Sequence, residues 1–250
     1  MMNTIQFIEG LQHSIYNHDT EYHWSYSLRD KVQGIDSNLM KGDTLEAATE
    51  LLTALGKQLH EALAVKDDLT AFNTIRAIMD WGKVYYPQGP RSMNQEKVQG
   101  LFESGRLIEE VSHNWVAIQS SNFTQVTLMN SGWTKVWAVL GNEHYIMLDD
   151  RVCATFGRYI TDFTQQYSDF SVNEAATELG FYQTGFAKTR RVNDIPRIHS
   201  RPHIWVKSML VVAKYLKAVV DKSFYDGCNR YDNKVDELRF CEAQLFMRGA

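Results

Sequence analysis

Lys135 stands at the head of an apolar run, Thr134-Lys135-Val136-Trp137-Ala138-Val139-Leu140. Fourteen residues after it, Ile146-Met147-Leu148 leads into two carboxylates, Asp149 and Asp150. An amine can act as a nucleophile, and an ionised carboxylate can steady a developing positive charge. Each also has an ordinary reading. A lysine in the first turns of an amphipathic helix usually carries its ammonium to water while its stem covers apolar surface. An aspartate before a helical run is a common N-cap, so the doublet alone implies no catalysis. Spacing is what raises its standing. A short helix over 133–141 and an extended return over 141–148 have similar lengths, at about 1.5 Å and about 3.3 Å per residue. Lys135 and Asp149 are then expected to open two helices near one another. A helix start favours an ionised carboxylate, and a partly desolvated amine beside it is a better nucleophile.

The elements that must position these groups are helical. Asp43 with Glu46 three positions on has the form of a capping box, followed at helical spacing by Leu45, Ala48, Leu52, Leu55, Leu59 and Leu63. A second helix carries Phe72, Ile75, Ile78 and Met79 and stops at Trp81-Gly82. The stretch YYPQGPRSMN, 85–94, is a loop by its prolines and glycine, and Asn94 caps a helix bearing Val98, Leu101, Phe102 and Ile108. Beyond the aspartates, Val152, Phe156, Tyr159, Ile160 and Phe163 mark one helix face. A short helix and a loop fill 174–203. Two last helices carry Trp205, Met209, Val212, Leu216 and Val219, then Val235, Leu238, Cys241 and Leu245. Residues 144–148 are the only stretch that reads as extended. The fold class is all-α, with about ten helices.

Composition bounds the rest. The 250 residues are 44% apolar and 22% charged, ordinary globular values. No run approaches the roughly 18 apolar residues of a membrane helix, and the start, MMNTIQFIEGLQHS, lacks the charged-then-apolar pattern of a signal peptide. Cys153, Cys228 and Cys241 are odd in number and widely spaced. They suit reduced thiols in a cytoplasm better than a disulfide framework or a metal-thiolate site. The net charge is −4, but it is uneven. Residues 186–217 hold Lys188, Arg190, Arg191, Arg197, Arg201, Lys207, Lys214 and Lys217 against Asp194, which makes that segment +7 and the remainder −11. Such a face fits a phosphate backbone; a solvated helix with a polar loop is the plainer reading. His199 and His203, with Pro202 between them and no third ligand near, do not make a metal site.

Thr134-Lys135-Val136 and Leu148-Asp149-x-x-Val152 resemble the Thr-Lys-Val and apolar-Asp-x-x-Val of the helix-hairpin-helix DNA glycosylases, the 8-oxoguanine branch in particular and its divergent bacterial relatives. The resemblance is local. It departs from the family pattern at Ser131, Gly132 and Trp133, where the hairpin glycines would stand. It departs also in a Lys-to-Asp interval about one helical turn shorter, and in lacking a cysteine cluster.

The resemblance implies a two-lobed helical architecture with a central cleft. Residues 1–90 and 205–250 would form one lobe and 91–204 the other, which carries the site. It makes Lys135 the amine that forms a Schiff base with the sugar and Asp149 the catalytic carboxylate, or the activator of a water if Lys135 does not react. Ser131, Gly132, Trp133 and Thr134 would touch DNA at the hairpin. Arg151, Arg190, Arg191, Arg197, Arg201 and Lys207 would hold the backbone. Trp115, Trp137 and Tyr145 are candidates for the pocket of a flipped base, with core packing as their alternative. The expected activity is that of a DNA glycosylase, with AP-lyase activity if the lysine reacts, in base excision repair or phage defence. The expected partner is double-stranded DNA containing a modified base, bound by a monomer with no membrane contact, cofactor or metal. The alternatives are a non-catalytic nucleic-acid-binding protein and a helical protein-interaction module.

Overall fold

Residues 3–17, 20–86, 92–142, 144–167, 171–183, 191–198 and 201–249 are described in a computed structural model. Ten α-helices and one two-stranded pairing are described among them, so the chain is predominantly all-α. Two compact units emerge: a middle unit, residues 23–145, and a terminal unit, residues 1–22 with 146–250.

The middle unit begins with an antiparallel pair of short strands, β1 (Tyr26–Ser27) and β2 (Lys41–Gly42). Helices α2 (Leu45–Val65), α3 (Asp68–Trp81), α4 (Met93–Glu103), α5 (Leu107–Gln119) and α6 (Ser131–Gly141) follow. Thr44, not Asp43, caps α2, its hydroxyl accepting the Ala47 N–H at 3.2 Å. α3 ends at Trp81 with Gly82 as its cap, where the sequence places the stop. The single helix expected across Val98 to Ile108 is two. Gly105 takes φ +66 and the Arg106 N–H returns to the Leu101 carbonyl at 2.9 Å, closing α4 in a left-handed turn that only glycine adopts without strain. Ser92 caps α4, and Asn94 lies within its first turn. Nearly all of α6 is buried, so it needs cover on more than one side, and α2 and α3 both supply it.

The terminal unit comprises α1 (Thr4–Asn17), α7 (Asp150–Tyr167), α8 (Val172–Leu179), α9 (Pro202–Asp226) and α10 (Lys234–Arg248). Phe7 of α1 is its hub, meeting Phe156, Tyr159, Phe163 and Tyr215 edge-on at centroid distances of 4.9 to 6.0 Å. At the far end of α1, the Arg248 guanidinium takes the Ser14 and Ile15 carbonyls, which have no partner inside the helix.

The division differs from the one expected from helix order. α2 and α3 pack with α6 in the middle unit, and 146–204 joins α9 and α10 in the terminal unit. Residues 144–148 pair with no described strand; the pairing occurs at β1 and β2 instead. No described helix is long and apolar enough to cross a membrane.

Candidate functional site

Lys135 lies in the first turns of α6 because Asn130 starts that helix. The Asn130 side-chain oxygen accepts the N–H groups of Gly132 at 2.8 Å and Trp133 at 3.1 Å. Its amide nitrogen donates to Asn94 Oδ1 at 2.8 Å, and the Asn94 amide donates onward to the Val84 carbonyl at 3.0 Å. Gly132 is required for that approach, since a β-carbon there would stand 2.5 Å from Asn94 Nδ2. The expected hairpin residues are therefore helical: Ser131, Gly132, Trp133 and Thr134 form the opening turn of α6. Gly132, Trp133 and Thr134 are buried and Ser131 is half-buried, so a DNA grip by the whole set does not fit this placement.

The Lys135 side chain does not run out to water. It keeps 3% of its surface, and Nζ donates to the Ser131 carbonyl one turn back at 3.2 Å. Its stem rests against Gly82, where a β-carbon would come 2.3 Å from Cδ and 2.5 Å from Cε. A missing side chain at the end of α3 thus makes the slot that the lysine fills. Withdrawing an ammonium from water costs several kcal/mol, and few lysines are buried this far.

Behind the lysine runs a stack of indoles. Trp133 and Trp137 lie 5.6 Å apart, Trp137 and Trp115 6.2 Å apart, and Tyr145 meets Trp115 edge-on at 5.5 Å. Trp137 has no exposed surface and its N–H goes to the Leu128 carbonyl at 3.0 Å. It is a core side chain, as is Trp133, and the pocket role expected of Trp137 is corrected on that ground. Burial raises the Tyr145 phenol above its usual range. Of the three pocket candidates, only Trp115 is more than marginally exposed.

In the terminal unit Asp149 is the cap of α7. Its Oδ1 accepts the N–H groups of Arg151 at 2.9 Å and Val152 at 3.2 Å, so the carboxylate is held by the backbone of the helix it opens. Asp150 is the first helical residue. What presents Asp149 is the irregular run before it, and that run is pinned by α10. Glu242 accepts the Met147 N–H at 2.6 Å and pairs with Arg239 inside the unit, both side chains being 8% exposed or less. Trp205 of α9 donates to the Leu148 carbonyl at 3.4 Å. The guanidinium of Arg151 lies 4.7 Å over the Phe246 ring and is half-buried.

The basic segment belongs to the same unit as Asp149. Arg197, Arg201 and Lys207 are exposed, Arg191 is half-buried, and Arg190 lies outside the described residues, as does His199. The stretch 191–198, which carries Arg191 and Arg197, is organised by buried Gln183. That amide donates to the carbonyls of Val192 at 2.7 Å and Ile195 at 2.8 Å and accepts the Val192 N–H at 3.0 Å. Sequence reasoning missed Gln183 and Glu242, since nothing in their flanking residues marks them. Gly82 carried a signal, a glycine closing a helix, but only as punctuation. No family model, curated protein or solved structure matches the chain.

Proposed function

We propose that this protein is a DNA glycosylase that releases a damaged or hypermodified base, with Lys135 as its nucleophile and Asp149 as the carboxylate that stabilises charge on the sugar. The observation that carries the reading is the burial of Lys135, 3% exposed in a slot opened by Gly82. An amine kept from water at that expense is more readily explained by chemistry than by stability, because an apolar side chain of the same volume would fill the slot at lower cost. In the reaction, Nζ of Lys135 attacks C1′. A C–N bond forms as the N-glycosidic bond breaks, and the base leaves with the bonding electrons and gains a proton. The amine, now bonded to C1′, then loses its remaining proton as the C1′–O4′ bond opens, O4′ taking the bonding electrons and a proton. The imine so formed is the species that leads to strand cleavage. Asp149 is the carboxylate proposed to stabilise the developing positive charge, its Oδ1 held by two N–H groups at the start of α7.

Borohydride reduces such an imine to a stable amine and so tests the reading. Incubation with duplexes bearing abasic sites or modified bases should give a covalent protein–DNA adduct. Lys135→Met, whose unbranched chain fills the same slot, should abolish it while leaving the melting temperature unchanged or higher. An adduct that survives Lys135→Met, or none from the wild-type protein on any duplex, sinks the proposal. A second reading, a non-catalytic nucleic-acid-binding protein, draws on the exposed Arg197, Arg201 and Lys207. It expects duplex binding that weakens steeply with salt and no adduct.

A further inference from the structure

Trp81 is the last residue of α3. Its ring is 9% exposed, and its indole Nε1–H is buried with no hydrogen-bond acceptor, whereas protein interiors pair nearly all such donors. Its carbonyl is occupied: Trp24 donates its own indole N–H there at 3.2 Å, the two rings lying 6.2 Å apart. Above Trp24 the exposed Lys83 ammonium sits 4.1 Å from the ring centroid. The residue after Trp81 is Gly82, against which the Lys135 stem rests. One short segment of the middle unit therefore holds an unspent donor and, in the next residue, the glycine against which the buried amine rests.

We propose that Trp81 is a base-recognition residue, its Nε1–H donating to an acceptor on the nucleobase whose sugar Lys135 attacks. The inference rests on the glycosylase reading and deepens it. A buried donor left unpaired costs free energy in the resting protein, and an arriving acceptor returns that cost as binding. A base leaving the sugar carries away the bonding electrons, so negative charge grows on its carbonyl oxygens and ring nitrogens. A fixed N–H facing those atoms binds the transition state more tightly than the ground state. Indole donates and never accepts. The substrate class is accordingly a neutral base that turns a carbonyl oxygen or an unprotonated ring nitrogen to this edge.

Trp81→Phe keeps an aromatic ring and removes the donor. Adduct formation under borohydride is measured for wild type and variant on a duplex with a preformed abasic site and on duplexes carrying 8-oxoguanine, hypoxanthine or uracil. The abasic duplex offers no base for the donor to meet. The rate on a base-bearing duplex is expected to fall roughly tenfold to a hundredfold, while the rate on abasic DNA stays within about twofold. An equal fall on both kinds of duplex means the ring only packs, and overturns the inference; so does an unchanged rate on both. Wild-type protein that traps abasic DNA yet acts on none of the three bases overturns it as well, because each presents a carbonyl acceptor. Wild-type protein that traps no duplex removes the glycosylase reading itself, and this inference with it.

Discussion

At the start of α6 an asparagine caps the helix, and the cation that follows, Lys135, is buried. At the start of α7 an aspartate caps the helix, and the cation that follows, Arg151, stays half-buried over a ring. The local device is the same, a short polar side chain holding the first N–H groups. The surroundings differ. The α6 start is closed in by the end of α3 and by Asn94 of α4, so its cap is one link in a chain of amides from Val84 to Asn130. The α7 start is braced from one side by α10, through Glu242, and keeps Asp149 half-buried. A neutral cap deep in a core and a charged cap near the surface are what desolvation would select. The comparison shows that the cap sets where a helix begins, while distant elements set what the residues there can do.

The brace is the part whose loss should cost most. Glu242→Ala removes the carboxylate that pairs with the buried Arg239 guanidinium and accepts the Met147 N–H. It is expected to cost about 3–5 kcal/mol of stability, read as a lower urea midpoint. Replacing both members of the pair, Arg239→Met with Glu242→Leu, should restore much of it. A loss under about 1 kcal/mol in Glu242→Ala would mean that α10 does not brace the α7 start.

The closed start of α6 is tested by Gly132→Ala, which drives a methyl group into Asn94. The expected cost is about 1–3 kcal/mol, and pairing it with Asn94→Ala should recover part of that cost, because the obstacle is gone. Strict additivity of the two would disprove the contact. The smallest effect is at Asp149. Asp149→Ala should cost about 1 kcal/mol by loss of the cap, and Asp149→Asn only a few tenths, since asparagine caps as well. Any larger change in adduct formation for Asp149→Asn than its stability loss explains belongs to the charge.

Much of the fold was legible because it is local. The apolar spacing from Val152 to Phe163 gives α7, and Trp81-Gly82 gives the end of α3. The breaks were less so: Gly105 divides what the periodicity joins, and Ser92 rather than Asn94 caps α4. The site was half legible. Lysine and aspartate stand at helix starts, as their spacing suggests, but general experience puts such a lysine in water. Its burial depends on a glycine 53 positions earlier in the chain, and the support behind Asp149 on a glutamate 93 positions later. No window of sequence joins residues at those distances, so the roles of Gly82, Gln183 and Glu242 were out of reach. The basic segment shows the reverse. Its exposure at Arg197, Arg201 and Lys207 follows directly from charge, because isolated cations seldom leave water.

The indole stack has a consequence of another kind. Five of the six tryptophans, Trp24, Trp81, Trp115, Trp133 and Trp137, lie in the middle unit, and the terminal unit has only Trp205. Intrinsic fluorescence is therefore almost wholly a signal from one half of the chain. Coupling between rings 5.6 and 6.2 Å apart should add a strong near-ultraviolet dichroism of the same origin. An optical melt followed at tryptophan wavelengths will report the helices around Lys135 and remain nearly blind to those around Asp149.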